Sequence, residues 1–266
     1  MTTQPDLRAL RMEWEAKLAP VIDTQKERRR DITALLGQVF EEVTTLLKPD
    51  AILEIGAHEA TFARHMKAAL PDALVVAFEA NARVFEKHRS AVFGAGVDYR
   101  NLAISDERKQ VSFNVPLSKT GSEKATMGSL LFDSRAKKHK TYTVWAERLD
   151  DVVARAGNVM WIDVEGACGQ VLAGAERLLS ECAALYVELE ESPRWPGQLT
   201  ADAVIALLQG HGLEPFLTDI QRQEWQHNVV FLRPGILDPT VAARLRDTFV
   251  TGVDEILVRH IDPPAA

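Results

Sequence analysis

The chain is poor in cysteine, has no long apolar run, carries no basic excess and lacks a glycine-rich phosphate loop. Its two cysteines, Cys168 and Cys182, supply neither a disulfide framework nor the spacing of a metal knuckle. A reducing compartment and a fold that rests on an apolar core are therefore expected. No stretch approaches the roughly 20 apolar residues that span a bilayer. Met1–Pro5 lacks a basic region followed by an apolar stretch, so no signal peptide is expected, and the cytoplasm is the expected location. Acidic residues outnumber basic ones, 38 to 31, for a net charge of -7. That balance argues against nucleic acid or an anionic membrane as the main partner.

The 266 residues, 46% hydrophobic and 26% charged, suffice for one large α/β domain with appended helices. Residues 7–30 are dense in charge and read as a solvated helix face. From Asp31, a plausible N-cap, Ile32, Leu35, Leu36, Val39, Phe40, Val43, Leu46 and Leu47 recur at helical spacing until Pro49. Residues 1–48 thus form a helical extension that packs on the main domain, covers a substrate or makes a homodimer contact. The main domain is expected over 49–235 and a closing helix, opened by Asp238-Pro239, over 236–266.

Within the domain, strands and helices alternate. Strand 51–55 leads to a helix over about 60–70, strand 73–79, a helix over 82–93 and a third strand over 97–104. Residues 110–115 and 140–146 read as an extra hairpin around a long loop, 116–130, of the kind that often covers a ligand. The rhythm resumes with a short helix near 148–156, strand 159–164, one helix over 168–180, strand 183–190, and a helix over 201–210 capped by Thr200. Strands 213–217 and 228–232 close the sheet with an antiparallel edge. The fold class is α/β, a doubly wound sheet with ligands at the carboxyl ends of its strands.

Four of those ends carry polar residues: Glu54 and Gly56, Glu79, Asn101, and Asp163 with Glu165. Gly56 marks a sharp turn. Glu79 follows it by 23 residues, the spacing of an acid that accepts hydrogen bonds from ribose hydroxyls. The pair predicts an adenosine-containing cofactor. Positions 58 and 61 are His and Thr, so the loop is not G-x-G-x-x-G, which favours a cofactor without a pyrophosphate. Glu54, an acid in an apolar strand, needs a hydrogen-bonding partner if buried; it either orients the Gly56 turn or reaches a cofactor ammonium.

With these residues in place the sequence resembles the FkbM family of S-adenosylmethionine-dependent methyltransferases. The resemblance lies in residues 51–62, Phe78-Glu79-Ala80-Asn81, Asn101 to Asp106, Gly128-Ser129-Leu130, Arg148 to Asp151, Ile162 to Ala167, and Val171 to Ala175. It covers about 50–232. It implies a class I methyltransferase fold, S-adenosyl-L-methionine as cofactor and a hydroxyl as acceptor. By position it places Glu54, Gly56, Ala57 and His58 at the methionine end and Glu79 at the ribose. Ala80 and Asn81 would flank the nucleoside, and Asn101, Ala103 and Ile104 would lie near the adenine. Asp163 would stand between cofactor and acceptor. His58, Ala60 and Cys168 depart from the family's usual Asn, Gly and acid.

Asp163 and Glu165, two apart at a strand end, are candidates to position or deprotonate the acceptor; Glu165 is equally suited to cap the next helix or pair with an Arg. A divalent metal held by these acids with Glu188 or Glu190 is possible but not favoured. His227 is a candidate base, though a histidine at a strand start is more often only hydrogen-bonded. Trp195, between two prolines, either covers a sugar ring or packs in the core. The run Lys137-Lys138-His139-Lys140 either attracts an anionic acceptor or is a solvated face. The leading expectation is O-methylation of a sugar hydroxyl in a glycan, glycolipid or glycosylated natural product. The alternatives are a non-sugar small molecule such as a polyketide, an NAD-binding oxidoreductase, and a non-catalytic cofactor-binding protein.

Overall fold

The structure is a computed structural model that describes residues 6–132, 138–221 and 226–258. Met1–Pro5, Lys137 of the basic run and the end of the closing segment lie outside them. The main sheet contains β1 (Ala51–Ile55), β2 (Leu74–Phe78), β3 (Asp98–Arg100), β7 (Asn158–Ile162), β8 (Cys182–Glu190), β9 (Glu214–Thr218) and β10 (Gln226–Leu232). A second sheet contains β4 (Ala103–Ile104), β5 (Lys109–Pro116) and β6 (His139–Glu147). The strand order of the main sheet is β3-β2-β1-β7-β8-β10-β9, and that of the second is β4-β6-β5. β1, β2, β3, β7 and β8 pair in parallel, whereas β10 runs antiparallel to both neighbours. This is the expected doubly wound sheet. Its connections diverge between β1 and β7, so the carboxyl ends of those strands flank the crevice where ligands bind such sheets.

Nine helices occur among the described residues: α1 (Leu7–Leu18), α2 (Gln25–Leu47), α3 (Thr61–Ala69), α4 (Ala82–Gly94), α5 (Leu149–Val152), α6 (Cys168–Ala173), α7 (Glu176–Ser180), α8 (Ala201–Gly210) and α9 (Pro239–Val258). Strand side chains alternate between faces, and two apolar layers result. One joins Ile52, Val75, Val159 and Tyr186 to α1, α2, α3 and α9. The other joins Leu53, Val76, Met160 and Val187 to α6, α7 and α8. Phe40 of α2 meets Phe62, Trp161 and Tyr186, so the apolar stripe of that helix is covered by the sheet itself.

Four local expectations change. α2 begins at Gln25, which puts Asp31 inside the helix rather than at its cap. The charge before it is not uniformly solvated: Arg28 is buried with Nη1 donating to the Leu257 carbonyl, and Arg29 pairs with Glu15. Strand 97–104 is two strands in different sheets. The chain breaks at Asn101-Leu102, where the Asn101 amide donates to the Glu79 carbonyl at 2.8 Å and Leu102 N–H to the same oxygen at 3.2 Å. Helix 168–180 is also two. A Cβ at Gly174 would lie 2.0 Å from the Ser105 carbonyl oxygen, so the chain turns there against a neighbouring backbone. Asp150 then restarts the helix by accepting from Arg177 N–H and Leu178 N–H.

Candidate active site

β1 ends against β2 and β7 at once. Gly56 and Ala57 N–H both donate to the Phe78 carbonyl, and Asp163 N–H donates to that of Ile55. Gly56 has φ +81°, and a Cβ there would fall 1.8 Å from the Asp163 carbonyl oxygen. Only glycine fits a left-handed turn pressed so closely on the next strand. His58 follows, also left-handed at φ 48°. Its N–H donates to Glu79 Oε2 at 2.8 Å, and its carbonyl accepts from the Tyr99 hydroxyl. Glu79 Oε1 accepts from Asn81 N–H at 2.7 Å. Each carboxylate oxygen thus holds one backbone donor and keeps capacity for another.

The cleft beside these strand ends encloses about 570 Å³ including its open mouth. Gly56, His58, Glu79, Ala80, Ala103, Ile104, Asp163 and Glu165 of the expected set line it. Ile55, Phe78, Leu102, Phe113, Ala125, Thr126, Gly128 and Leu130, with Val164 and Ala167 of the turn leaving β7, complete the wall. Ile55, Phe78, Leu102, Gly128 and Leu130 lie in the stretches that carry the resemblance but were not expected as site residues; Phe113 lies on the alternating strand, and Ala125 and Thr126 lie in the long loop. Ala57, Asn81 and Asn101 stand behind the wall: Ala57 in the β1 turn, Asn81 capping α4 through Arg83 N–H, Asn101 bracing the backbone of Glu79 and Ala80. Glu54 also stands behind it and accepts from Ala63 N–H at 2.8 Å, so it orients the start of α3.

The loop between β5 and β6 closes the far side. Ser129 exchanges two backbone hydrogen bonds with Asn114, and its hydroxyl donates to the Glu165 carbonyl at 2.7 Å. Glu165 at φ 47° and Gly166 at φ 84° form the turn leaving β7. Trp195 is buried against that turn, since a Cβ at Gly166 would meet its ring at 2.4 Å. It packs rather than presenting an open platform. Glu123 ties the loop down by accepting from Arg83 at 2.5 Å, Tyr142 at 2.8 Å and Lys140 at 3.1 Å. Glu123→Ala is expected to weaken ligand binding in the cleft about threefold to tenfold with little change in the maximal rate, as titration and steady-state kinetics would show.

A family model described as the methyltransferase FkbM domain matches residues 54–215. The chain belongs to the FkbM methyltransferase family. The 2-O-methyltransferase NoeI of Sinorhizobium fredii is 29% identical over 192 residues, 64% of this chain and 76% of that protein. Among solved structures, methyltransferase FkbM from Methylobacillus flagellatus KT overlaps with a TM-score of 0.48 at 11% identity, covering 69% of this chain and 44% of that one. This chain therefore spans less than half of that protein. The magnesium protoporphyrin IX methyltransferase of Synechocystis PCC 6803, solved with bound SAM, overlaps at 0.42 and 10% identity, covering 79% and 82% of the two chains. Overlaps this loose carry no information on the chemistry of this FkbM chain.

The acids at these strand ends sit in a strongly desolvating environment. Burial raises the Glu79 carboxyl from 4.5 to about 7, against the pull of its two backbone donors, and raises Glu54 to about 8. Asp163 is raised by burial and then by the charges of Glu165, Glu190 and Glu79. Raised carboxyls bind protons in the folded chain that the unfolded chain has released. Their stability contribution is present below about pH 4.5 and is lost as pH climbs through about 7 to 8. Calorimetry is expected to show the melting temperature falling over that window, and less steeply in Glu54→Gln.

His227 is not brought to this cleft. It is buried on β10 and lines a separate cavity with Arg11 and Glu191, its Nδ1 3.8 Å from the Glu191 carboxylate. Burial and the Arg11 charge hold it well below the ordinary histidine range, so it stays neutral there. Glu190 accepts a hydrogen bond from Gln198, and Glu188 is buried on the same strand. Among the described residues these acids do not gather three ligand atoms within 4.8 Å of one another. Cys168 is buried at the start of α6, its thiol pushed up by desolvation and by Glu190, which suits packing and not nucleophilic chemistry. No described helix is long and apolar enough to cross a membrane.

Proposed function

We propose that the chain is an S-adenosylmethionine-dependent O-methyltransferase whose acceptor is a sugar hydroxyl in a glycan, glycolipid or glycosylated natural product. The observation that carries this reading is the meeting of Glu79 and Asp163 in one cleft, each at the carboxyl end of its strand and joined through the Gly56 turn. The 2-O-methyltransferase relative supports the oxygen acceptor. The cradle fits the cofactor: Glu79 retains acceptor capacity for the two ribose hydroxyls, and Gly56 and Asp163 line the same cleft. Phe78, Leu102, Ile104 and Phe113 offer apolar surface to a purine.

S-adenosylmethionine supplies a methyl group already activated on a sulfonium. The chain's own residues align the oxygen with it and exclude water. Asp163 takes the hydrogen bond of the acceptor hydroxyl. With the methyl donor bound, Asp163 would then accept the hydroxyl proton that the acceptor gives up on methylation. The raised affinity of Asp163 for a proton, caused by burial and the neighbouring acids, makes it a better base than a solvated carboxylate. Glu165, on the same wall, orients neighbouring hydroxyls of a polyol. His227 has no part in this step.

The test is incubation of the full chain with S-adenosylmethionine and a panel of sugars, lipooligosaccharides and polyketide alcohols, read by S-adenosylhomocysteine release and by mass of the product. Methylated sugars support the reading. Methylation of polyketide alcohols alone keeps the reaction and overturns the sugar.

A further inference from the structure

His58 lies on the left-handed turn after β1, and its surroundings give it a second use. We propose that His58, Glu59 and His88 form a binding site for a transition-metal dication of the zinc class at the rim of the cleft. One donor atom from each residue lies within 4.8 Å of the other two. The imidazole rings of His58, on the turn after β1, and His88, on α4, are 5.4 Å apart between centroids and inclined at 47°.

Three features favour an ion there. His88 Nε2 is shielded from solvent and has no hydrogen-bond partner among the described residues. A shielded ring nitrogen without a partner is costly, and a metal bond would satisfy it. The backbone of His58 is fixed on both sides, N–H to Glu79 and carbonyl to Tyr99, so one ligand is preorganised. Glu59 is exposed, with only a long contact of 3.5 Å from the Thr61 hydroxyl, so its carboxylate is free to swing in.

Two imidazoles and one carboxylate match the ligand types of zinc and its neighbours rather than magnesium or calcium, which prefer oxygen alone. Bonds of about 2.0–2.2 Å in a tetrahedral arrangement set ligand atoms roughly 3.4 Å apart. The donors therefore need to draw in by little more than an ångström, within reach of side-chain rotation. The fourth position stays open to water.

The experiment is isothermal titration of the full chain, free of any polyhistidine tag, with Zn²⁺, repeated on His88→Ala and Glu59→Ala. The control is His65→Ala, which removes an exposed histidine of α3 paired with Glu41 of α2. The expected result is one equivalent bound with micromolar affinity, weakened at least tenfold in His88→Ala and in Glu59→Ala and unchanged in the control. Alanine suits the helix that carries His88, and an unchanged melting temperature certifies the fold. Absence of binding tighter than millimolar, equal affinity in His88→Ala, or loss in His65→Ala would overturn the site.

Discussion

Asp163→Asn is expected to lower turnover at least about 100-fold, the lower end of what a positioned base contributes. It should leave the affinity for S-adenosylhomocysteine within about threefold of the parent. The substitution keeps the shape of the side chain and removes its capacity to accept a proton. The Asp163 contact that holds the strand ends together is a backbone one, from its N–H to the Ile55 carbonyl at 2.9 Å, and it survives the change. Asparagine also removes an acid that shares the cleft with Glu165 and Glu79, so the variant should be no less stable at neutral pH. A loss of rate with retained cofactor affinity locates the defect at the acceptor. Parent-like turnover in a folded Asp163→Asn protein would remove Asp163 from the mechanism.

Glu79→Ala is expected to weaken binding of S-adenosylmethionine about 100-fold or more. Two hydrogen bonds from ribose hydroxyls to a carboxylate are lost, each worth about 1.5 kcal/mol or more. The variant also frees the N–H groups of His58 and Asn81, which Glu79 now holds at 2.8 and 2.7 Å. Part of the effect will therefore be a looser turn. Glu79→Gln separates the two, because its amide oxygen can still accept from one backbone donor and hold the turn. An intermediate loss in Glu79→Gln, with the melting temperature near that of the parent, assigns the remainder to the ribose. Since burial raises Glu79 to about 7, cofactor affinity in the parent should rise as pH increases through neutrality, and that dependence should vanish in both variants.

The sheet was largely legible because its strands are short apolar runs set off by turn residues, and because the acids stand at their ends. Glu79, Gly56 and Asp163 were legible for the same reason: polar residues at the carboxyl ends of buried strands have few uses other than the crevice. Glu54 was harder. Its place in β1 suggested the cleft, yet side-chain alternation turns it to the opposite face, where it meets the start of α3. His227 does stand at the carboxyl edge of the sheet, opposite Leu189 of β8, but β7 and β8 separate it from β1, and it lines a cavity with Arg11 of α1 instead. The breaks at Asn101 and Gly174 came from contacts distant in sequence, the backbone of Glu79 in one case and of Ser105 in the other. The wall from Phe113 to Leu130 was legible as a hairpin with a long covering loop, but not residue by residue, because its side chains gather only when β5 and β6 pair. Arg28 and Arg29 show that a charge-rich stretch is not a solvated one when carbonyls and carboxylates wait in the core.

In the proposed function the β1 and β2 ends hold S-adenosylmethionine. Calorimetric titration of the full chain with S-adenosylmethionine and, separately, NAD⁺ tests it most directly. One site of micromolar affinity for the methyl donor is expected, and none for NAD⁺. Binding of NAD⁺ in preference, or no binding of the donor by a chain with an intact thermal transition, would contradict it.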